Sequence, residues 1–177
     1  MSTDRLDETA WASILEKLRH RTLPPDSIHK AIVQLGKPYD ERRIQRATDV
    51  VATYLNDGDE WVRHEAMWFL VSWGRLPEFQ EQAVSMMLHD TCEDNRGYAA
   101  NCLGVLKAGS LDPNLLEVLR AVVSNEQEDE SVRLKAYAAM LKVAVLQISA
   151  GDLFDFEIGR KRLQDVDWKL VQTVPRP

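Results

Sequence analysis

Glycine and proline are scarce in this chain, with eight and seven in 177 residues. Cysteine is scarcer still: Cys92 and Cys102 are the only two, ten residues apart, and no CxxC occurs. The first scarcity leaves long uninterrupted stretches between the few helix breakers. The second leaves no zinc framework visible and points to two reduced thiols. Basic residues are outnumbered, 22 against 28 acids, for a formal charge of −6. That argues against nucleic acid as a partner, because a general binder needs a basic stripe to displace counterions. No apolar run spans a bilayer, "VAVLQISAG" being far too short, so no membrane partner is expected. The first residues, "MSTDRLDETAWASILEKL", carry acids where a secretory leader needs a basic region and an apolar run, so a cytoplasmic location is expected. A glycine-rich phosphate loop, a Ser-His-Asp order and a reactive-cysteine context are also missing, so no cofactor is expected.

What is present is helical periodicity. "LLEVLRAVV" (115–123) and "AVSMML" (83–88) place apolar residues at helical spacing, and no segment alternates as a strand does. Asp112 before Pro113 reads as an N-cap with Pro in the first turn, and Pro77 reads as a second helix start. The chain is therefore expected to be all-α.

Four segments align on a small residue with a large apolar one four positions later: Ala31 and Leu35, Ala66 and Leu70, Ala99 and Leu103, Ala136 and Met140. Their spacings are 35, 33 and 37 residues. Arg63, Arg96 and Arg133 recur three residues before the small one, and Asp57, Asp90 and Gln127 six before each Arg. An apolar helix precedes each segment, at roughly 7–21, 40–55, 77–88 and 112–124. A period of this length marks stacked helical hairpins, each needing its neighbour to bury its apolar face.

The segments "YLNDGDEWVRHEAMWFL", "MLHDTCEDNRGYAANCLGVL" and "NEQEDESVRLKAYAAML" resemble the HEAT repeat family. The resemblance covers 40–145 well and 7–36 loosely. It implies a right-handed α-solenoid of about four hairpins in one domain. Residues 1–36 are then an N-terminal capping unit, 40–149 three repeats, and 150–177 a helical C-terminal cap. In that cap Asp152 is the expected N-cap, and Phe154, Phe156, Leu163 and Trp168 cover the last repeat. The resemblance also implies a ladder linking turn acids to the second-helix arginines, onto which Asp57, Asp90, Arg63, Arg96 and Arg133 map.

"DEWVRHEAMWFLVSWG" (59–74) holds three of the five Trp. On a wheel of about 100° per residue, Val62, Ala66, Phe69, Leu70 and Trp73 fall on the core side. Trp61, His64, Trp68 and Val71 fall opposite, on what is the concave surface of a HEAT-like stack. The matching positions elsewhere are Asp94, Gly97, Asn101 and Gly104, then Ser131, Leu134, Ala138 and Leu141, and in the first unit Asp26, His29, Val33 and Gly36. Two glycines inside one helix imply that something approaches its backbone closely. The expected binding residues are thus Trp61, His64, Trp68, Val71, Asp94, Gly97, Asn101, Gly104, Leu134 and Leu141. The competing reading has Trp61 and Trp68 folded over Gly97 and Gly104. The turns "NDGDE", "HDTCEDN" and "NEQEDE" together carry ten acids and no Lys or Arg. They read either as a stripe steering a basic partner or as acids favoured at helix N-termini.

"VRHEAMWFL" resembles one motif of deoxyhypusine hydroxylase, which needs several His-Glu pairs to hold two irons. Here His64-Glu65 stands alone against His29-Lys30, Gly97-Tyr98 and Leu134-Lys135, so no metal is expected. HEAT-like DNA glycosylases and bilin lyases share the implied architecture and form the enzymatic alternative. The favoured expectation is a non-catalytic protein-binding repeat protein. One setting is an immunity protein or inhibitor neutralising a basic toxin such as a nuclease; an adaptor ranks just behind.

Overall fold

The computed structural model describes residues 6–37, 40–144 and 149–173. The ends of the expected caps (1–5 and 174–177) and the middle of "VAVLQISAG" (145–148) lie outside them. The described residues are helical without a strand, as the periodicity predicts. None of these helices is long and apolar enough to cross a membrane. The chain divides into two compact units, Met1–Leu76 and Pro77–Pro177.

The first unit contains α1 (Glu8–Arg19), α2 (Pro25–Gly36), α3 (Glu41–Ala52) and α4 (Glu60–Met67). Asp7, Asp40 and Asp59 cap α1, α3 and α4 by accepting backbone N–H bonds that the first turns leave unpaired. Trp11 is fully buried, and its Nε1 donates to Leu35 O at 3.0 Å, tying α1 to the end of α2. Tyr54 is buried likewise and donates its hydroxyl to Leu18 O at 2.6 Å. Each large ring thus gives its apolar body to the core and finds a carbonyl for its polar atom.

Helix α4 continues without a break into a π turn, Trp68–Trp73. Gly74 N donates to Phe69 O at 2.9 Å and Leu76 N to Leu70 O at 3.1 Å, the wide bonding of a π segment and its exit. Residues there advance by less than 100° each, so the uniform wheel drifts. Val71, projected opposite the core, swings toward it and is fully buried. Trp73, projected into the core, swings off it and is half-buried, its ring lying against Gly36 and edge-on to Phe69. Val62, Ala66, Phe69 and Leu70 are fully buried, as expected.

The second unit contains α5 (Gln80–His89), α6 (Glu93–Leu106), α7 (Pro113–Ser124), α8 (Glu130–Val143), α9 (Ala150–Glu157) and α10 (Trp168–Thr173). Helix α5 packs on α6, α7 on α8, and α6 on α8, while α9 covers α8 and α10 touches α7. Helix α8 is consequently buried on every side from Val132 to Leu141, consistent with a sequence that is weakly amphipathic. Asp112 caps α7 through Leu115 N at 3.1 Å, with Pro113 in the first turn. Pro77 opens a 3-10 turn, Pro77–Phe79, ahead of α5.

Two expectations for the C-terminal segment are corrected. The N-cap of α9 is Ser149, whose Oγ accepts from Asp152 N at 3.0 Å; Asp152 instead accepts the Ser149 hydroxyl. Of the four apolar residues expected to cover the last repeat, Phe156 is buried edge-on against Tyr137, with ring centres 5.0 Å apart. Leu163 is half-buried, whereas Phe154 and Trp168 are exposed. Val166 and Val171 supply the buried contacts instead, and Arg120 Nε donates to Val171 O at 2.8 Å.

Candidate functional site

The start of α4 is held by its own turn. Asp59 Oδ1 accepts from Trp61 N at 2.8 Å and from Val62 N at 3.3 Å, and Asp57 Oδ1 accepts from Asp59 N at 3.1 Å. Arg63 Nη1 donates back to Asp57 O at 2.9 Å and Gly58 O at 3.2 Å. On this base, positions i, i+3 and i+7 form one stripe of rings. Trp61 meets His64 edge-on at 6.2 Å, and His64 stacks on Trp68 at 6.2 Å with the planes 8° apart. Trp61 is 58% exposed, while His64 and Trp68 are half-buried. Asp59 and Glu60, beside Trp61 in the chain, are exposed.

This arrangement suits binding. An exposed indole face attracts Lys or Arg through its quadrupole, and large rigid rings dominate the energetics of protein contacts. The neighbouring acids add attraction for the same cations.

With one exception, the remaining expected site residues are not surface residues. Gly97, Asn101, Gly104, Leu134 and Leu141 are buried, like Val71, and Asp94 alone of the second unit's set is exposed. The direction taken for an open surface is the direction in which α6 meets α8. A Cβ on Gly104 would lie 2.8 Å from Ala139 Cα, and one on Gly97 would lie 2.6 Å from Lys135 Cδ. The close approach inferred from the two glycines is therefore real, and what approaches is α8. Gly36 plays the same part in the first unit, where a Cβ would lie 2.3 Å from the Trp73 ring.

The second-helix arginines Arg63 and Arg96 reach back to their own turns. Arg96 Nη1 donates to Asp90 O at 2.9 Å, as Arg63 Nη1 does to Asp57 O. The side-chain link runs onward: Arg96 Nε and Nη2 donate to the two carboxylate oxygens of Glu128 at 3.0 and 2.8 Å. Glu128, one residue past the mismatched Gln127, takes the place expected of an acid there. This bidentate pair raises the Arg96 pKa further. Arg133 Nε donates to Val123 O at 2.9 Å. In the first unit, Arg21 Nη1 lies 3.6 Å from Asp57 Oδ2, and its Nη2 donates to Thr53 O at 3.2 Å.

Cys102 is not an activated nucleophile. Burial pushes the Cys102 thiol up to about 12, away from the thiolate. Burial raises the Glu65 carboxyl above its ordinary range, with Lys37 opposing it. Among the described residues, no group of three or more His, Cys, Asp or Glu side chains is placed to hold a metal ion. No family model, curated protein or solved structure matches this chain.

Proposed function

We propose that this chain is a non-catalytic helical binding module that takes a basic segment of a partner protein on the Trp61–His64–Trp68 face. The observation that carries this reading is Trp61. It is 58% exposed, continues into a ring ladder with His64 and Trp68, and stands beside exposed acids. A solvent-exposed indole gains by burial against a partner, and a cation over its face adds about 0.5–2 kcal/mol. The net charge of −6 draws a basic partner toward encounter.

The finer reading is an inhibitor or immunity protein that neutralises a basic toxin such as a nuclease, built on a HEAT-like solenoid. Support for the scaffold comes from the 33- to 37-residue recurrence, the stacked pairs α5–α6 and α7–α8, and the shared Arg-to-turn bonds of Arg63 and Arg96.

The test places a photo-cross-linking amino acid at position 61, with Leu88 on α5 as an exposed control position, in cells that naturally make the protein. One partner captured at 61 and not at 88, joined through a Lys- or Arg-rich segment, is the expected result. Capture of an acidic segment, or the same products from both positions, overturns the proposal.

A further inference from the structure

The second unit holds a partly open cavity of about 440 Å³, walled by Tyr98 and Asn101 of α6, Ser131 and Lys135 of α8, and Phe156 and Glu157 of α9. We propose that this cavity binds a compact organic carboxylate whose apolar ring also carries a hydrogen-bond donor. The site is built from other residues than the Trp61 face and does not depend on that reading.

Two polar groups in the wall are incompletely compensated. Asn101 is 9% exposed, and its Oδ1 is buried with no hydrogen-bond partner. Buried polar atoms in native proteins are nearly always paired, so an orphaned amide oxygen asks for a donor from outside the protein. An apolar side chain of similar volume would fill the same space without the cost.

The second group is Lys135, 8% exposed. Its Nζ donates to Ser131 Oγ at 2.8 Å and lies 5.1 Å from the Tyr98 ring centre. The carboxylate facing it, Asp94 Oδ1, is 3.9 Å away on a side chain that is 67% exposed. The stem of Lys135 is buried, and its ammonium, at the cavity wall, is held by a hydroxyl, a ring face and a distant acid, which leaves it short of negative charge. Ser131 Oγ, which accepts the hydrogen bond from Lys135 Nζ, keeps its own O–H to donate. The ammonium and the hydroxyl therefore stand side by side as two donors, which matches the two oxygens of one carboxylate.

The rest of the wall fits the body of such a ligand. Tyr98 and Phe156 offer ring surface, and Phe156 is fixed edge-on against Tyr137. Glu157 is ion-paired with Lys142, so its charge is largely offset near an incoming anion. The volume falls within the range of small-molecule sites. Gly97 belongs to the design as well: any Cβ there would collide with the Lys135 stem, so only glycine leaves the lysine lying across α6.

The probes are 4-hydroxybenzoate, 4-hydroxyphenylacetate and 3-(4-hydroxyphenyl)propionate, with phenylacetate lacking the donor and 2-(4-hydroxyphenyl)ethanol lacking the carboxylate. Each is titrated into the uniformly 15N-labelled full chain. The expected result is saturable shifts centred on Tyr98, Asn101, Ser131 and Lys135, with at least one hydroxy acid binding at or below about 1 mM, an ordinary affinity for so small a ligand. Lys135→Met should weaken the acids tenfold or more and leave the alcohol unchanged. Asn101→Leu should abolish the preference for 4-hydroxyphenylacetate over phenylacetate. If Lys135→Met loses its dispersed native spectrum, Ser131→Ala makes the same comparison by removing the second donor. The proposal is overturned if no acid gives saturable shifts at these residues, or if binding is indifferent to the loss of both donors. It is overturned equally if a high-resolution structure grown with the acids shows Asn101 satisfied by water alone.

Discussion

Gly104→Ala should destabilise the second unit although alanine is the better helix former. A Cβ at position 104 would stand 2.8 Å from Ala139 Cα and 3.0 Å from its Cβ. Carbon atoms rest about 3.5–4.0 Å apart, so α8 would have to retreat by roughly 0.7–1.2 Å. It has little room to do so, being covered by α6, α7 and α9. Overpacking of this kind costs about 1–3 kcal/mol, toward the upper end when the obstacle is backbone. Replacing a helical glycine by alanine returns about 1 kcal/mol. The net loss is about 1–2 kcal/mol, which lowers Tm by roughly 2–8 °C in a chain of this size. Gly97→Ala is the control. The obstacle there is Lys135 Cδ, part of a flexible side chain that can swing aside, so stability should stay within about 0.5 kcal/mol. Urea unfolding followed by circular dichroism, with equal m-values for the variants, measures both. If Gly104→Ala is as stable as the parent, α6 and α8 do not approach as closely as described, and the account of the two glycines fails.

Other parts of the structure make further predictions. Glu65→Gln should stabilise the protein at neutral pH. Burial raises the folded carboxyl above its ordinary 4.5, so the unfolded chain binds fewer protons in between and stability falls as pH rises through that window. The gain should vanish below the unfolded value, as a series of unfolding curves from pH 4 to 7 would reveal. Glu128→Ala should cost about 1–3 kcal/mol by leaving the Arg96 fork without its carboxylate, and Glu128→Asp should recover only part of this. Trp73→Ala, at a half-buried site against Gly36, should cost about 2–3 kcal/mol in the same denaturation assay, less than for a fully buried Trp.

The all-helical class was legible because period-3.6 patterning survives wherever one helix face meets the core, as in α7. The capping of α7 by Asp112 was equally legible, since Asp followed by Pro has few other roles. The aromatic stripe of α4 was legible as far as Trp68, where the π turn begins. Beyond it the wheel failed, because a π turn leaves no mark in composition and shifts every later residue. That is why Val71 belongs to the core and Trp73 does not. Helix α8 was misread for a different reason. Leu134 and Leu141 were projected to a surface, but a helix packed by three neighbours has no free pole. Lys135 was missed altogether, since a lysine on a helix is ordinarily solvated. The signal that could have found it is Gly97, a gap at the height where a long side chain lies. Glu128 escaped for a third reason: it lies five residues before Arg133, whereas Asp57 and Asp90 lie six before Arg63 and Arg96, so an alignment anchored on the arginines lands on Gln127.

The central claim is that Trp61 is a contact residue and not a structural one. The most direct measurement is the affinity of the partner captured at position 61 for the purified parent and for Trp61→Ala, with unfolding curves on both. The account predicts a loss of about 30-fold or more, equivalent to about 2 kcal/mol for a hot-spot residue, with stability nearly unchanged. An affinity within twofold of the parent, or a Trp61→Ala variant that binds weakly only because it has unfolded, would contradict it.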